Sequence, residues 1–184
     1  MEKRFGVKHV FCSNVRLSWL GKSTLSRQIA KRTGAVIIDH DIVKSALLNS
    51  IDDSSIDAKF AGKISYNIDW SLIEFYLSQG QNVVFDSPCF YQEMVDKGLE
   101  LSKKYNVKYK YVECYLNDFD EVNNRLKNRV RMVSQISGIN SEEDFIYTLE
   151  NSKKPTGCKC LIVDTGKPLE SYIDKVINYI NEAK

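Results

Sequence analysis

No apolar stretch in the 184 residues approaches the ~20 that a membrane-spanning helix needs. The start, Met1-Glu2-Lys3-Arg4 followed by an apolar run that Lys8 and His9 interrupt, makes a poor secretory signal, so a cytoplasmic setting is expected. Proline is scarce, at 3 residues. With no Pro- or Ser-rich linker and no internal repeat, one domain over 1–184 is the economical expectation. Charge of one sign is also lacking: 26 Lys and Arg against 24 Asp and Glu leave +2, too small a bias to argue for nucleic acid, although a local basic cluster can still act on phosphates. Cysteines number 5, an odd count without an export signal, which favours reduced thiols over a disulfide framework. Cys158-x-Cys160 offers half of a metal site or two thiols on one face of a strand, and the other ligands of that kind, Cys12, Cys89, Cys114, His9 and His40, are widely scattered.

What is present is the composition of an ordinary folded domain, 43% apolar and 27% charged. Short β-branched or aromatic runs at Val7 to Cys12, Ala35 to Ile38, Asn82 to Phe85, Lys108 to Tyr115 and Lys159 to Val163 predict strands. Helical patterns lie between them: Ser23 to Arg32, Ile42 to Asn49, Ile56 to Ser78, Tyr91 to Tyr105, Asp118 to Asn128, Ser141 to Asn151 and Pro168 to Asn181. Asn117-Asp118 and Asn140-Ser141 offer N-caps, with Glu143 near enough to assist Asn140, while Gly34 and Gly80 stand where helices must stop. Alternation of this kind predicts an α/β fold, a parallel sheet with helices on both faces. Ligands bind such sheets beyond the carboxyl ends of the strands. The residues expected there, Ser13-Asn14, Asp39-His40-Asp41, Asp86-Ser87, Asn117-Asp118 and Asp164-Thr165, bring oxygen-bearing side chains to one rim.

Gly21-Lys22-Ser23-Thr24, between the first strand and the first helix, is half of the phosphate-binding pattern G-x-x-x-x-G-K-S/T. Lys22 is placed to reach the outer phosphates of a nucleoside triphosphate, the Ser23 hydroxyl to ligand Mg2+, and the helix to point its positive end at the anion. The other glycine is missing. Its place is taken by Arg16, and Arg16-Leu17-Ser18-Trp19-Leu20 holds bulky side chains where backbone amides should curl around an oxyanion.

Three further groups fit phosphoryl transfer. Asp39 and Asp41 end the second strand, with Lys44 a turn later; Asp41 suits a general base beside a cation, with Lys44 steadying the transferring group, and equally an N-cap for the following helix. Val83-Val84-Phe85-Asp86 is an apolar strand ending in an acid, the pattern of an aspartate that orders Mg2+, though a turn could also explain it. Arg125 and Arg129, four apart and thus on one helix face, lead with Arg131 into the polar stretch Val133 to Asn140; they form either a lid over the nucleotide or a solvated basic face.

With Gly21-Lys22-Ser23-Thr24, the Asp41 to Leu47 segment, Val83 to Pro88, Tyr111 to Cys114, Arg125 to Arg129 and Val163-Asp164-Thr165 in this order, nearly the whole chain resembles the P-loop kinases labelled AAA-family ATP-binding proteins. That group is related to the polynucleotide 5'-kinase, gluconate kinase and adenylylsulfate kinase types. The resemblance implies a three-layer P-loop fold with a five-stranded parallel sheet and a helical lid over about 125–141. It implies ATP and Mg2+, with Gly21, Lys22, Ser23, Thr24, Arg125 and Arg129 on the nucleotide and Asp164-Thr165 near the adenine. Ser23 and Asp86 would hold the metal, and Asp41 would lie near the acceptor hydroxyl. The acceptor, a small metabolite, a nucleoside or a nucleic-acid 5' end, is left open, as is oligomeric state. A nucleotide-binding or interaction module with a damaged loop, and an acceptor-independent ATPase, are the alternatives.

Relatives in that group have Gly-x-Pro-Gly-x-Gly-Lys-Ser-Thr where this chain has Arg16 to Thr24: the length is kept and the letters differ. Our hypothesis is a compensated pair of frameshifts, because residue-by-residue decay would not replace a whole segment and spare both borders. One permitted back-translation of Phe11 to Trp19, shifted by one base, gives Phe-Val-Val-Met-Ser-Gly-Phe-Pro-Gly, with glycines at positions 16 and 19; the single codon of Trp19 yields glycine in that frame whatever follows. DNA sequencing tests this: codons 11 to 19 shifted by one base should encode glycine at 16, and any other residue there overturns it. The chain as it stands should bind ATP weakly or not at all, and glycine restored at 16 and 19 should tighten binding in a nucleotide titration; an unchanged isotherm would refute that expectation.

Overall fold

The computed structural model describes residues 10–15, 21–51, 57–157 and 159–182. Trp19, Cys158 and the rest of the 16–20 loop lie outside them. Five parallel strands, β1 (Val10–Val15), β2 (Val36–Asp39), β3 (Val83–Asp86), β4 (Lys108–Tyr115) and β5 (Cys160–Asp164), form one sheet in the order β2-β3-β1-β4-β5. The seven α-helices among the described residues are α1 (Lys22–Thr33), α2 (His40–Asn49), α3 (Ala58–Ser78), α4 (Gln92–Lys104), α5 (Phe119–Asn128), α6 (Glu142–Glu150) and α7 (Ile173–Asn181). The expected single helix from Pro168 is instead a short 3-10 turn, Leu169–Ser171, followed by α7.

Side-chain alternation along the central strands feeds two cores. On one face Cys12, Val84, Val112 and Cys114 meet Leu25 and Ile29 of α1, Val122 of α5, Phe145 of α6 and Val176 of α7. On the other, Phe11, Phe85 and Tyr111 meet Ile73 and Leu77 of α3 and Val95 and Leu101 of α4. Trp70 belongs here, edge-on to Phe11 and Phe85 with ring centres 6.1 and 5.0 Å away, so it is core. The helix ends follow local chemistry. Asp118 accepts from Glu121 N and Ser141 from Asp144 N, without help from Asn140 or Glu143. Gly34 closes α1 with a left-handed φ of 68°, a conformation that costs a side-chain-bearing residue more.

Two expectations fail at the sheet's carboxyl edge. The first strand does not stop at Cys12: Ser13 and Asn14 lie within β1, paired with Phe85 and Asp86 on one side and Tyr111 and Val112 on the other, because a central strand is held by ladders from both neighbours. Asp41 is not the cap of α2 either. The helix begins two residues earlier, at His40, and Asp39, still extended, accepts from Asp41 N and Ile42 N at 3.0 and 3.4 Å. Capping thus takes the first carboxylate of the pair and leaves the second on the surface of the helix's first turn.

Register makes Asp39 and Asp86 neighbours across β2 and β3. Burial, and then the charge of Asp86, push the Asp39 carboxyl up to about 6, against the pull of Lys22. A carboxyl that holds its proton more tightly folded than unfolded favours folding below its ordinary pKa and loses that contribution as pH rises towards 6. Urea unfolding of the ligand-free protein should therefore show stability falling between about pH 4 and 6, and Asp39→Asn, which keeps a good N-cap, should abolish that part of the fall; identical pH profiles would contradict this.

Candidate active site

Gly21 turns the chain into α1 with φ of 77°, and among the described residues no side chain caps that helix and no acid sits in its first turn. Its positive end therefore favours an anion. One residue on, Lys22 is 2% exposed and its Nζ donates to Asp86 Oδ1 at 2.8 Å. Burial opposes the ammonium charge, yet Asp86, with Asp41 and Asp39 beyond it, more than offsets this and holds the Lys22 pKa above its ordinary value. Lys22 stays charged. Asp86 Oδ2 is buried without a hydrogen-bond partner, an expensive state for a carboxylate oxygen in the absence of a further ligand.

Ser23, Asp39 and Asp86 share the wall of a cleft of about 230 Å³ with Arg27, Ile42 and Leu72. Among the described residues no group of three or more His, Cys, Asp or Glu could enclose a metal ion. Mg2+ needs no such group when phosphates and water supply most of its ligands, and the unpartnered Asp86 oxygen with the Ser23 hydroxyl in the same cleft fits that mode of binding. Thr24, next in the motif, is exposed.

The other expected residues divide into two groups. On one side Arg125 donates from Nε to Glu121 Oε1 at 2.7 Å and from Nη2 to Thr165 O at 3.2 Å. Thr165 is buried, hydrogen-bonded to Tyr115 O, and faces Gly21, whose added Cβ would stand 3.8 Å from the Thr165 Cβ. Asp164 is exposed and spends its carboxylate on the turn, accepting from Gly166 N at 3.0 Å. Arg125, Asp164-Thr165 and the end of the phosphate loop therefore meet.

On the other side stand Asp41 and Arg129. The shared helix face expected for the two arginines does not exist, because α5 stops at Asn128 and Arg129 is already extended, with ψ of 149°. Arg129 instead donates to Ile136 O at 2.9 Å, and the charge of Asp41 partly offsets the burial that lowers its pKa. Of the stretch expected as a lid, about 125–141, residues 129–141 are irregular between α5 and α6 and rest on α2: Ser134 Oγ donates to Asp41 O and Gln135 Nε2 to Asp41 Oδ2, at 3.1 and 2.8 Å. Lys44 Nζ lies against α3, 3.7 Å from where a Cβ on Gly62 would stand.

Sequence reasoning passed over three participants. Asp39 was paired with Asp41 but given no role of its own; its signal was the acid-x-acid spacing after a strand. His40 is buried between them, its Nδ1 2.6 Å from Asp69 Oδ2 and its ring stacked on Tyr66 at 3.9 Å. Tyr66 Oη accepts from Ser87 Oγ at 3.3 Å, so a polar chain links the start of α2 to the residue after Asp86. The third is Gln135, which no local pattern marks.

A family profile described as AAA domain matches residues 17–141, beginning inside the anomalous loop. No curated protein sequence matches the chain. Solved structures share its fold. A protein provisionally described as a kinase, from Chloroflexus aurantiacus, superposes with a TM-score of 0.73 at 16% identity over 95% of this chain and 99% of that one. The APS kinase of Mycobacterium tuberculosis, solved with AMPPNP and APS, gives 0.61 at 11% identity over 95% and 99%. A gluconokinase from Sinorhizobium meliloti gives 0.59 at 16% identity over 94% and 91%. No helix among the described residues is long and apolar enough to cross a membrane. The profile match over residues 17–141, with Lys22 and Asp86 paired inside that span on a five-stranded parallel sheet, places the chain in the AAA-domain family of P-loop proteins with a kinase-like fold.

Proposed function

We propose that the protein is an ATP-dependent phosphotransferase that moves the γ-phosphoryl group of ATP to a hydroxyl of a small metabolite, a nucleoside or a nucleic-acid 5' end. The observation that carries this reading is the buried Lys22–Asp86 pair at the uncapped start of α1, with one oxygen of Asp86 unpartnered. An ammonium held charged there neutralises phosphate oxygens, and the α1 amides extend the same positive field. Ser23 and Asp86 would hold Mg2+, which supplies charge neutralisation on the phosphates. Asp41, free of capping duty, accepts the proton of the attacking hydroxyl. Arg129, in the lid beside Asp41, supports the charge that spreads over the transferring group, while Arg125 and Thr165 border the nucleotide. Lys44, directed at α3, serves the acceptor side of the cleft.

A second reading rests on the loop. Residues 16–20 contain no glycine, and the family match begins at 17, so a nucleotide-binding or interaction module that has lost its phosphate cradle is supported by the same sequence. ADP release with sugars, nucleosides and 5'-hydroxyl oligonucleotides, each against an acceptor-free control, separates these readings. In the chain with glycine restored at 16 and 19, acceptor-stimulated release that falls at least ~100-fold in Asp41→Asn, with ATP binding kept, is the expected result. Release equal with and without acceptor identifies an ATPase, and no release from a chain whose loop glycines have been restored rejects the phosphotransferase.

A further inference from the structure

Asp41 has one carboxylate oxygen engaged and one open. Oδ2 accepts from Gln135 Nε2 at 2.8 Å, whereas no hydrogen bond among the described residues reaches Oδ1. The identity of the Gln135 donor follows from its surroundings: its Oε1 accepts from Met132 N at 3.2 Å, and the same turn is closed by Gln135 N donating to Met132 O at 3.0 Å. The amide nitrogen must therefore be the end that faces Asp41.

The glutamine is delivered by a docked segment. Ser134 N donates to Ser45 Oγ at 3.3 Å, and Ser134 Oγ donates to Asp41 O at 3.1 Å. The proton between Ser45 Oγ and Ser134 Oγ, 2.8 Å apart, then comes from Ser45, and every hydroxyl in the set has one consistent direction. Ser45 is buried, so these bonds form only when the lid lies on α2. Arg129, which donates to Ile136 O just beyond, arrives with them.

We infer that Gln135 is a positioning residue for the base: lid docking brings its neutral amide onto Oδ2 of Asp41, fixes the carboxylate plane and turns Oδ1 towards the acceptor hydroxyl. This rests on the reading of Asp41 as the base. A neutral donor suits the task, since it orients the carboxylate without the full charge by which a lysine or arginine in its place would hold back the proton-accepting oxygen. Base orientation and lid closure become a single event, so an acceptor meets an ordered base only when the arginine beside it is also in place.

Two readouts test this. In amide NMR spectra of the chain as it exists, without ATP, the Gln135 side-chain signals should shift and exchange faster with water in Asp41→Ala, and the Ser134 amide should lose protection in Gln135→Ala. In ADP-release assays with whichever panel compound stimulates turnover, Gln135→Ala should lower kcat roughly 10–100-fold with KM for ATP unchanged. Gln135→Glu, the same shape with a carboxylate facing Asp41, should be slower still. A residue that only shaped the lid would tolerate the isosteric change better than truncation. Gln135 signals unchanged in Asp41→Ala, a loss confined to KM for ATP, or Gln135→Glu faster than Gln135→Ala would each overturn the inference. If no panel compound stimulates release even from a chain with glycine restored at 16 and 19, the phosphotransferase reading fails while the spectra still decide the contact.

Discussion

The buried Lys22–Asp86 ion pair is the constraint around which the rest of the site is arranged. Two charges at 2% and 1% side-chain exposure give up most of their hydration, and removing either partner alone strands the other at a cost of about 3–5 kcal/mol. The pair exists because β1 and β3 are adjacent, which brings the strand-end aspartate beside the first residue of α1. Among the described residues one oxygen of Asp86 has no hydrogen-bond partner and no side chain caps α1. That arrangement is what the proposed binding of an anion and a hard cation together draws on.

Around that pair the structure separates two tasks that a linear reading had merged. Arg125 is fixed to Glu121 and Thr165 O, at the meeting point of β5 and the end of the phosphate loop. Arg129 belongs to the lid and to Asp41. The division follows from where α5 stops, since one residue of extended backbone is enough to turn the second arginine away from the first. Between the two sides, Asp39 spends its carboxylate on starting α2, and the His40–Asp69 contact with stacked Tyr66 braces the same helix from beneath. The first turn of α2 is thus held by its cap, by Asp69 and by the Tyr66 ring as well as by the 129–141 segment.

The central strand carries the oddest local chemistry. Strands paired on both edges and covered on both faces are normally apolar, yet β1 runs Val-Phe-Cys-Ser-Asn-Val, with Ser13 buried. An apolar continuation at 13 and 14 is what the shifted reading frame supplies, so strand chemistry and loop chemistry depart from expectation in one contiguous segment, although β4 also buries polar side chains, Lys110 and Glu113. Damage confined to that segment would weaken the cradle while leaving both cores intact.

Most of the architecture is legible in the chain, because its causes are local. β-branched runs of four to eight residues alternate with 3.6-residue periodicity, and caps such as Asp118, Ser141 and Gly34 act within a turn of themselves. Lys22 and Asp86 are legible for the same reason, each being defined by the element it borders. The extent of β1 was not, since neighbours 70 or more residues away decide where a central strand ends. Nor was the choice of Asp39 over Asp41 as cap, which turns on the backbone conformation of two residues, His40 and Asp41. Gln135 was invisible because its role depends on a contact 94 residues distant, made by a lid whose own sequence has no period. Local chemistry in the chain thus fixed the sheet, its helices and the residues on the phosphate side. Packing of distant segments fixed which carboxylate is left uncommitted to capping and what holds it, because a carboxylate's orientation is set by partners it meets only after folding.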